Sequence, residues 1–390
     1  MSVTDGTVVG TVQILNNGPA THRWNLVLMG DGYQAAQLGK FANDAQSFVN
    51  TLLATPPFDT FRKAINVFRV DVSSTDAGAD DPVACGGTGA TARTFFDAAF
   101  CNSNLQRLLT VNQTTALTVA SAQVPQFHQA MVIVNSTVPG GSGGAVATFS
   151  TAPGAAEIGL HEMGHSAFGL SDEYEYFVEC GRETDRNQHP ALEPAAENVT
   201  INSNRSTIKW RDLVAAATPM PTTSNPDCTK CDTQANPVSA TTVGAFEGAD
   251  HFHCGAFRPQ FNCRMRTLGQ PFCAVCRRRI HRVLYPYFPG RRGGAYEVRV
   301  EPGSTGIVAL PPPKLTGVIP FGRVFVSLAS DFEGASVRFA VGRPPDRWRL
   351  FDPLQVGVGR SFVIECLDTD QIVSVVHQAG RPVDVLVEYD

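Results

Sequence analysis

Residues 22–33 read HRWNLVLMGDGY, a compact apolar run closed by Gly30-Asp31-Gly32. So short and apolar a run, ended by turn residues, predicts a buried strand followed by a turn. Residues 34–54 then place Leu38, Phe41, Ala45, Phe48, Val49 and Leu52 at helical spacing, which predicts an amphipathic helix. INVFRVDV, residues 65–72, reads as a second strand. Strand, helix, strand is the opening of an α/β layer with a partly parallel, mixed sheet.

Working outward, AMVIVN (130–135) is another buried strand, and PGGSGG (139–144) is a flexible turn into the short strand AVATFS (145–150). That last strand is expected to form the sheet edge bordering a cleft, where an extended peptide could add as one more strand. A helix follows over 156–168, stopped near Gly169. Residues 171–270 are rich in Pro, Asn, Thr and Cys and poor in periodicity, which predicts a loop-rich, stapled subdomain. Helix returns over 271–288, and PGRRGG (289–294) reads as a linker. The segments YEVRVEP, IVALPP, VFVSLAS, SVRFAVG, FVIECLD and VDVLVEY then alternate apolar and polar residues between turns. The expected organisation is an α/β (α+β) domain over residues 1–290 and a small all-β, sandwich-like module over 295–390.

Composition is that of a folded chain: 390 residues, 43% hydrophobic, 17% charged, net charge −5. Five Lys stand against 26 Arg. The negative total argues against nucleic acid as a partner, and the densest basic run, Arg277-Arg278-Arg279-Ile280-His281-Arg282, reads as the solvated face of a helix. No apolar run reaches the length of a membrane span. Met1-Ser2-Val3-Thr4-Asp5 lacks the basic-then-apolar pattern of a signal peptide, which read literally implies the cytoplasm. The ten Cys (85, 101, 180, 228, 231, 254, 263, 273, 276, 366) instead suit disulfides in an oxidising compartment. The two signals oppose one another. Cys228-Thr229-Lys230-Cys231 and Cys273-Ala274-Val275-Cys276 could together build a structural zinc site, with disulfides as the favoured alternative. Asp76, Asp80 and Asp81 in SSTDAGADDP could hold Ca²⁺, though such clusters are more often solvated turns.

The chemistry is concentrated in HEMGH, residues 161–165. Two His four apart on a helix share a face and can reach one Zn²⁺, while the intervening Glu162 is placed to take a proton from a water on that metal. Chance would supply only about 0.007 such patterns in a chain of this His and Glu content. A catalytic metal needs a third protein ligand and an open position. After Gly169 the chain can double back, and Asp172 is best placed to return to the metal. Glu173 is the neighbouring alternative, and Glu179 or Glu183 would serve only if a later helix carried them. Arg258 could bind a substrate carboxylate or an oxyanion, or sit in a salt bridge; Glu247 has the same two readings. His251 and His253 could supply a ligand.

HEMGHSAFGLSDEY (161–174) resembles the IgA peptidase family of bacterial metallopeptidases. It has the metzincin outline of HExxH, a helix-ending Gly and an acidic third ligand, with one extra residue: HExxHxxxGxxD. NLVLMGDGY (25–33), NVFRVDVSSTDAGADDP (66–82), VIVNSTVPGGSGG (132–144), EPAAENVT (193–200), IKWRDLVAAATPMP (208–221), GAFEGADHFHCGAFRPQFNCRMR (244–266) and PFCAVCRRRI (271–280) resemble the same family in order. The likeness spans about residues 20–288 and leaves the β module outside. It implies a metzincin-like catalytic domain with a zinc helix, metal ligands His161, His165 and Asp172, Glu162 as catalytic base, one catalytic Zn²⁺, and a protein or peptide substrate. It further implies that Cys263-Arg264-Met265-Arg266 is a Met-turn, whose thioether forms an apolar floor under the ligands. The competing expectation is a non-catalytic, zinc-containing binding or adhesion protein engaging a glycan or protein partner.

Overall fold

The computed structural model describes residues 5–181 and 186–288 in full, and beyond them the backbone of strands lying between 294 and 389. Strands β1 (Gly6–Leu15), β2 (Trp24–Asp31) and β3 (Ile65–Ser74) open the chain, with helix α1 (Leu38–Ala54) between β2 and β3. Helix α2 (Gln113–Gln123), β4 (Gln129–Val134), β5 (Gly141–Ser142), β6 (Val146–Ser150) and helix α3 (Ala155–Phe168) follow. They form one mixed sheet in the order β1-β3-β2-β4-β6-β5. β3, β2, β4 and β6 run parallel, and β1 and β5 close the two edges antiparallel.

The continuous apolar run of β2 has a simple cause. Leu26 and Leu28 enter one core while Val27 and Met29 enter the other, so both faces are buried. β4 does the same, with Met131 and Ile133 on the first face and Ala130, Val132 and Val134 on the second. The first face is covered by α1, through Phe41, Ala45, Phe48, Val49 and Leu52, and by α3, through Leu160, Met163 and Phe168. Each such Leu or Phe contributes about 1.5–3 kcal/mol when fully buried. The second face is covered by α2 and by Phe96, Ala98, Phe100 and Leu109 of the preceding loops.

β6 is therefore not the edge. It is fully buried between β4 and β5, and the outer strand is the two-residue β5 supplied by the glycine-rich turn. A Cβ on Gly141 would fall 2.6 Å from Ile158 and 3.1 Å from Glu162 Cγ, so only glycine lets β5 lie this close to α3. The outer rim of β5 is itself covered: Gly141 N–H donates to Arg107 O (3.0 Å).

The segment from 170 to 273 is irregular except for a hairpin of β7 (Phe246–Ala249) and β8 (Phe252–Arg258). Two disulfides, Cys180–Cys231 and Cys228–Cys254, staple it, and a third joins Cys85 to Cys101. Helix α4 (Ala274–Leu284) returns to the core through Val275, Ile280 and Leu284. Its basic run is only partly a solvated face: Arg282 is exposed and Arg277 and Arg279 are half-buried. Arg278 is buried and paired with buried Asp212 at 2.6 Å, Arg279 donates to Phe168 O at the end of α3, and Arg282 pairs with Glu197. Asp212 faces this helix and holds the Arg278 guanidinium inside, while Glu197 pairs with Arg279 and Arg282 nearer the surface.

After these come β9 (Gly294–Val300), β10 (Gly306–Ala309), β11 (Phe321–Leu328), β12 (Ser336–Arg343), β13 (Arg347–Leu350), β14 (Leu354–Gln355), β15 (Phe362–Leu367), β16 (Gln371–His377) and β17 (Val383–Tyr389). They pair antiparallel in one sheet ordered β15-β11-β17-β9 and another ordered β10-β16-β12-β13, with β14 beside β12. Most of the expected linker lies outside the described residues. No helix among the described residues is long and apolar enough to cross a membrane.

Candidate active site

Helix α3 carries His161 and His165 one turn apart. It ends at Gly169, whose φ of +63° is a left-handed conformation that glycine adopts without strain. Gly169 N–H donates to His165 O (2.9 Å) and Leu170 N–H to Gly164 O (3.1 Å), reversing the chain. The reversal brings Leu170 O to His165 Nδ1 (2.7 Å), while Arg264 O lies 3.0 Å from His161 Nδ1. A carbonyl can only accept, so both imidazoles carry their proton on Nδ1 and present a lone pair at Nε2.

Those lone pairs converge. The two Nε2 atoms are 3.1 Å apart, and Asp172 Oδ1 lies 3.0 Å from one and 3.2 Å from the other. Asp172 Oδ1 is buried and makes no hydrogen bond. Three acceptors with no proton between them repel one another unless a cation sits at their focus. A tetrahedral ion bound at about 2.0–2.1 Å would place its donors roughly 3.3 Å apart, which this triangle fits. Asp172 is held from behind by His251 Nε2, 2.9 Å from Oδ2.

With no cation at that focus, the carboxylates draw a proton to the imidazoles in its place. Burial works against charge on His165, but the Asp172 and Glu162 carboxylates outweigh it and raise the imidazole to about 9. His161 is raised in the same way, burial again opposing and Asp172 prevailing. Burial holds Glu162 above the usual carboxylate range, against the pull of the two imidazoles. Glu162 lies beneath β5, beside Gly141.

The floor of the site is Met265. It is fully buried, and a Cβ added at Gly164 would meet its Sδ at 2.6 Å, so the thioether packs directly under α3 between the two His positions. Arg264 anchors this turn through Glu157 (3.1 Å) in the first turn of α3.

Asp172 and Glu173, the competing third ligands, are separated by backbone geometry. Extended chain sends successive side chains to opposite sides. Asp172 O accepts from Asp250 N (3.0 Å), Tyr174 O from His251 N (2.9 Å), and Glu173 N donates to Met265 O (2.8 Å). Asp172 faces the imidazoles; Glu173, fully buried, turns away to Cys263, Cys273 and Cys276. Glu179 is exposed and outside the group, and Glu183 lies outside the described residues.

Other expected site residues are engaged elsewhere. Arg258 is buried and donates to the Glu247, Gly248 and Phe261 carbonyls, and Glu247 accepts from Asn225 N (2.9 Å) and Gly255 N (2.8 Å), so both brace the hairpin. His253 is buried beside Glu175 and Cys231, whose sulfur is already in a disulfide. Asp76 pairs with Arg93, Asp80 accepts from Ala92 N, and Asp81 accepts from Thr88 and Gln106, so protein donors take up the carboxylates that could have held Ca²⁺. The two CxxC pairs do not meet: Cys228 and Cys231 are in separate disulfides, and Cys273 and Cys276 remain thiols.

Sequence reading passed over Asn198 and underrated His251. Asn198 is fully buried, accepts from Ser171 N (2.9 Å), and donates to Ser171 O (2.8 Å) and Glu173 Oε1 (2.9 Å), fixing the return strand. An Asn in a polar loop carries no periodic signal that could have revealed this.

A family model described as IgA Peptidase M64 matches residues 12–236 and 228–284. No curated protein matches the chain. Among solved structures, the solution NMR structure of a de novo designed double-stranded beta-helix aligns with 25% of this chain and 100% of its own, at 15% identity and a TM-score of 0.16, a likeness too slight to carry any argument.

Proposed function

This chain belongs to the IgA peptidase M64 family, and from that premise we propose that it is a zinc-dependent, metzincin-like endopeptidase acting on protein or peptide substrates. The observation that carries the reading is the triangle of His161 Nε2, His165 Nε2 and Asp172 Oδ1, each lone pair aimed at one point. These three residues would hold the ion, and Met265 would support them from below. When bound, Zn²⁺ would polarise the scissile carbonyl and lower the pKa of a water. Glu162 takes the proton of the attacking water on a carboxylate oxygen and delivers it to the leaving amine nitrogen. Burial favours protonated Glu162, which suits a group that must hold that proton between the two transfers. β5 borders this site, and its covered rim restricts where an extended substrate could pair. A non-catalytic binding protein would leave Glu162 without a task.

The nine C-terminal strands support a separate β module, and three disulfides support folding in an oxidising compartment. The test of the central reading is Glu162→Gln, assayed on a broad peptide library with metal content quantified. Loss of a general base lowers turnover by about 10²–10⁴ while bound metal is unchanged. Undiminished cleavage by the variant would sink the mechanism.

A further inference from the structure

Beneath the His–His–Asp triangle lies a second cluster that the peptidase reading does not use. Cys263, Cys273, Cys276 and Glu173 are all fully or almost fully buried, with their donor atoms within 4.8 Å of one another. Cys263 Sγ and Cys276 Sγ are 3.8 Å apart, and Glu173 Oε1 is 3.2 Å from Cys276 Sγ and 3.6 Å from Cys273 Sγ. A disulfide needs about 2.05 Å between sulfurs. A tetrahedral zinc with Zn–S near 2.3 Å and Zn–O near 2.0 Å sets S···S at roughly 3.8 Å and S···O at roughly 3.5 Å. The spacing is that of four ligands around an ion.

Three further observations, independent of spacing, agree. Glu173 Oε2 has no hydrogen-bond partner although the side chain is fully buried, leaving an unsatisfied polar atom beside the thiols that a bound ion would satisfy. Backbone amides point at the sulfurs: Cys273 N–H lies 3.2 Å from Cys263 Sγ, and Cys276 N–H lies 3.4 Å from Cys273 Sγ. Cys273 also caps the N-terminus of α4, so its sulfur faces the positive end of the helix dipole, while burial pushes its thiol up in the absence of a cation.

We propose that Cys263, Cys273, Cys276 and Glu173 form a closed, structural zinc site, thiolate-rich and without an open coordination position. Its ligands come from three segments, two of which also build the first site. Glu173 adjoins Asp172, Cys263 lies two residues before Met265, and Cys273 and Cys276 start α4. One ion would weld the third catalytic ligand, the Met-turn and a core helix together, and its binding energy would be folding energy.

The test replaces zinc with cobalt(II) in the full-length protein. Thiolate-to-cobalt charge transfer absorbs in the near ultraviolet, and a His–His–Asp site cannot produce it. The expected result is that band in the wild type, its persistence in His161→Ala/His165→Ala with one metal ion fewer, and its loss in Cys276→Ser with the first site still loaded. Denaturing the zinc-loaded His161→Ala/His165→Ala variant with chelator should free three thiols among Cys263, Cys273 and Cys276 as its one ion is released. A cobalt-loaded wild type lacking the band overturns the proposal, as does a disulfide found by mass among these three cysteines in the purified protein. Failure of the peptidase reading would leave the band untouched, so the two outcomes are separable.

Discussion

Two neighbouring carboxylates, Asp172 and Glu173, serve opposite kinds of place. Asp172 completes a triangle of imidazole and carboxylate donors with part of its rim exposed: the His165 and Asp172 side chains retain 20% and 12% of their accessible surface. Glu173 completes a set of thiols sealed at 0–2% exposure. An open hard-donor site suits exchange of water and substrate, and a closed sulfur-rich site suits permanence. The two carboxylates turn to opposite sides of one irregular segment that follows α3.

The comparison breaks most sharply under paired substitution. Asp172→Asn should abolish cleavage, by about 10²-fold or more, while leaving the unfolding midpoint nearly unchanged. Glu173→Gln should do the reverse first, lowering stability and one metal equivalent, with activity falling only as Asp172 loosens. Parallel assays of turnover, metal content and thermal unfolding check this, and equal profiles for the two variants would show that they act as one unit.

His251→Ala probes a smaller term. It leaves all three donors but removes the group fixing Asp172 Oδ2. Metal affinity or activity should fall about 10–100-fold, with the cluster around Glu173 unaffected. Metal titration against a competing chelator reads this directly, and an unchanged affinity would assign His251 to the loop alone.

The smallest effect concerns a buried carboxylate with no metal at all. Asp31 is satisfied by Ser74 Oγ and the Phe96 and Ala98 amides, and burial raises it from 3.8 to about 6. The folded protein thus holds this proton more tightly than the unfolded chain. The stability it contributes is complete below about pH 4 and is lost as pH rises through about 6. Asp31→Asn cannot titrate, so the wild type's stability relative to the variant should decline across that interval. Urea midpoints at successive pH values would show it; a constant difference would mean that Asp31 is ionised throughout.

Much of this was legible in the sequence because its signals are local. The apolar runs of β2 and β4 and the spacing in α1 each fix an element within a few residues. The geometry of HEMGH on a helix is likewise set by five consecutive residues. What escaped depends on distant chain. β1 is an edge strand whose Thr, Gln and Gly residues are mostly exposed or half-buried, so it lacks a clean alternation. α2 buries only Ala116, Val119 and Ala120, too narrow a stripe to stand out. β5 is two residues long and glycine-rich. The sequence favours disulfides over a paired-CxxC metal site but leaves the partners open, because the fold pairs cysteines by where a stapled loop of some hundred residues returns, which spacing does not encode.

The return strand after Gly169 carries one more consequence, a matter of parity. Asp172 turns to the imidazoles and Glu173 to the thiols, so the count of residues from the helix-ending glycine to Asp172 decides which carboxylate meets which donors. Removing or inserting a single residue in Leu170-Ser171 would exchange the two addresses, giving the longer Glu to the open site and the shorter Asp to the sealed one. A change of two residues would preserve the assignment and alter only the reach. Length variation in this turn is therefore constrained in even steps, a rule that no individual contact in the site expresses.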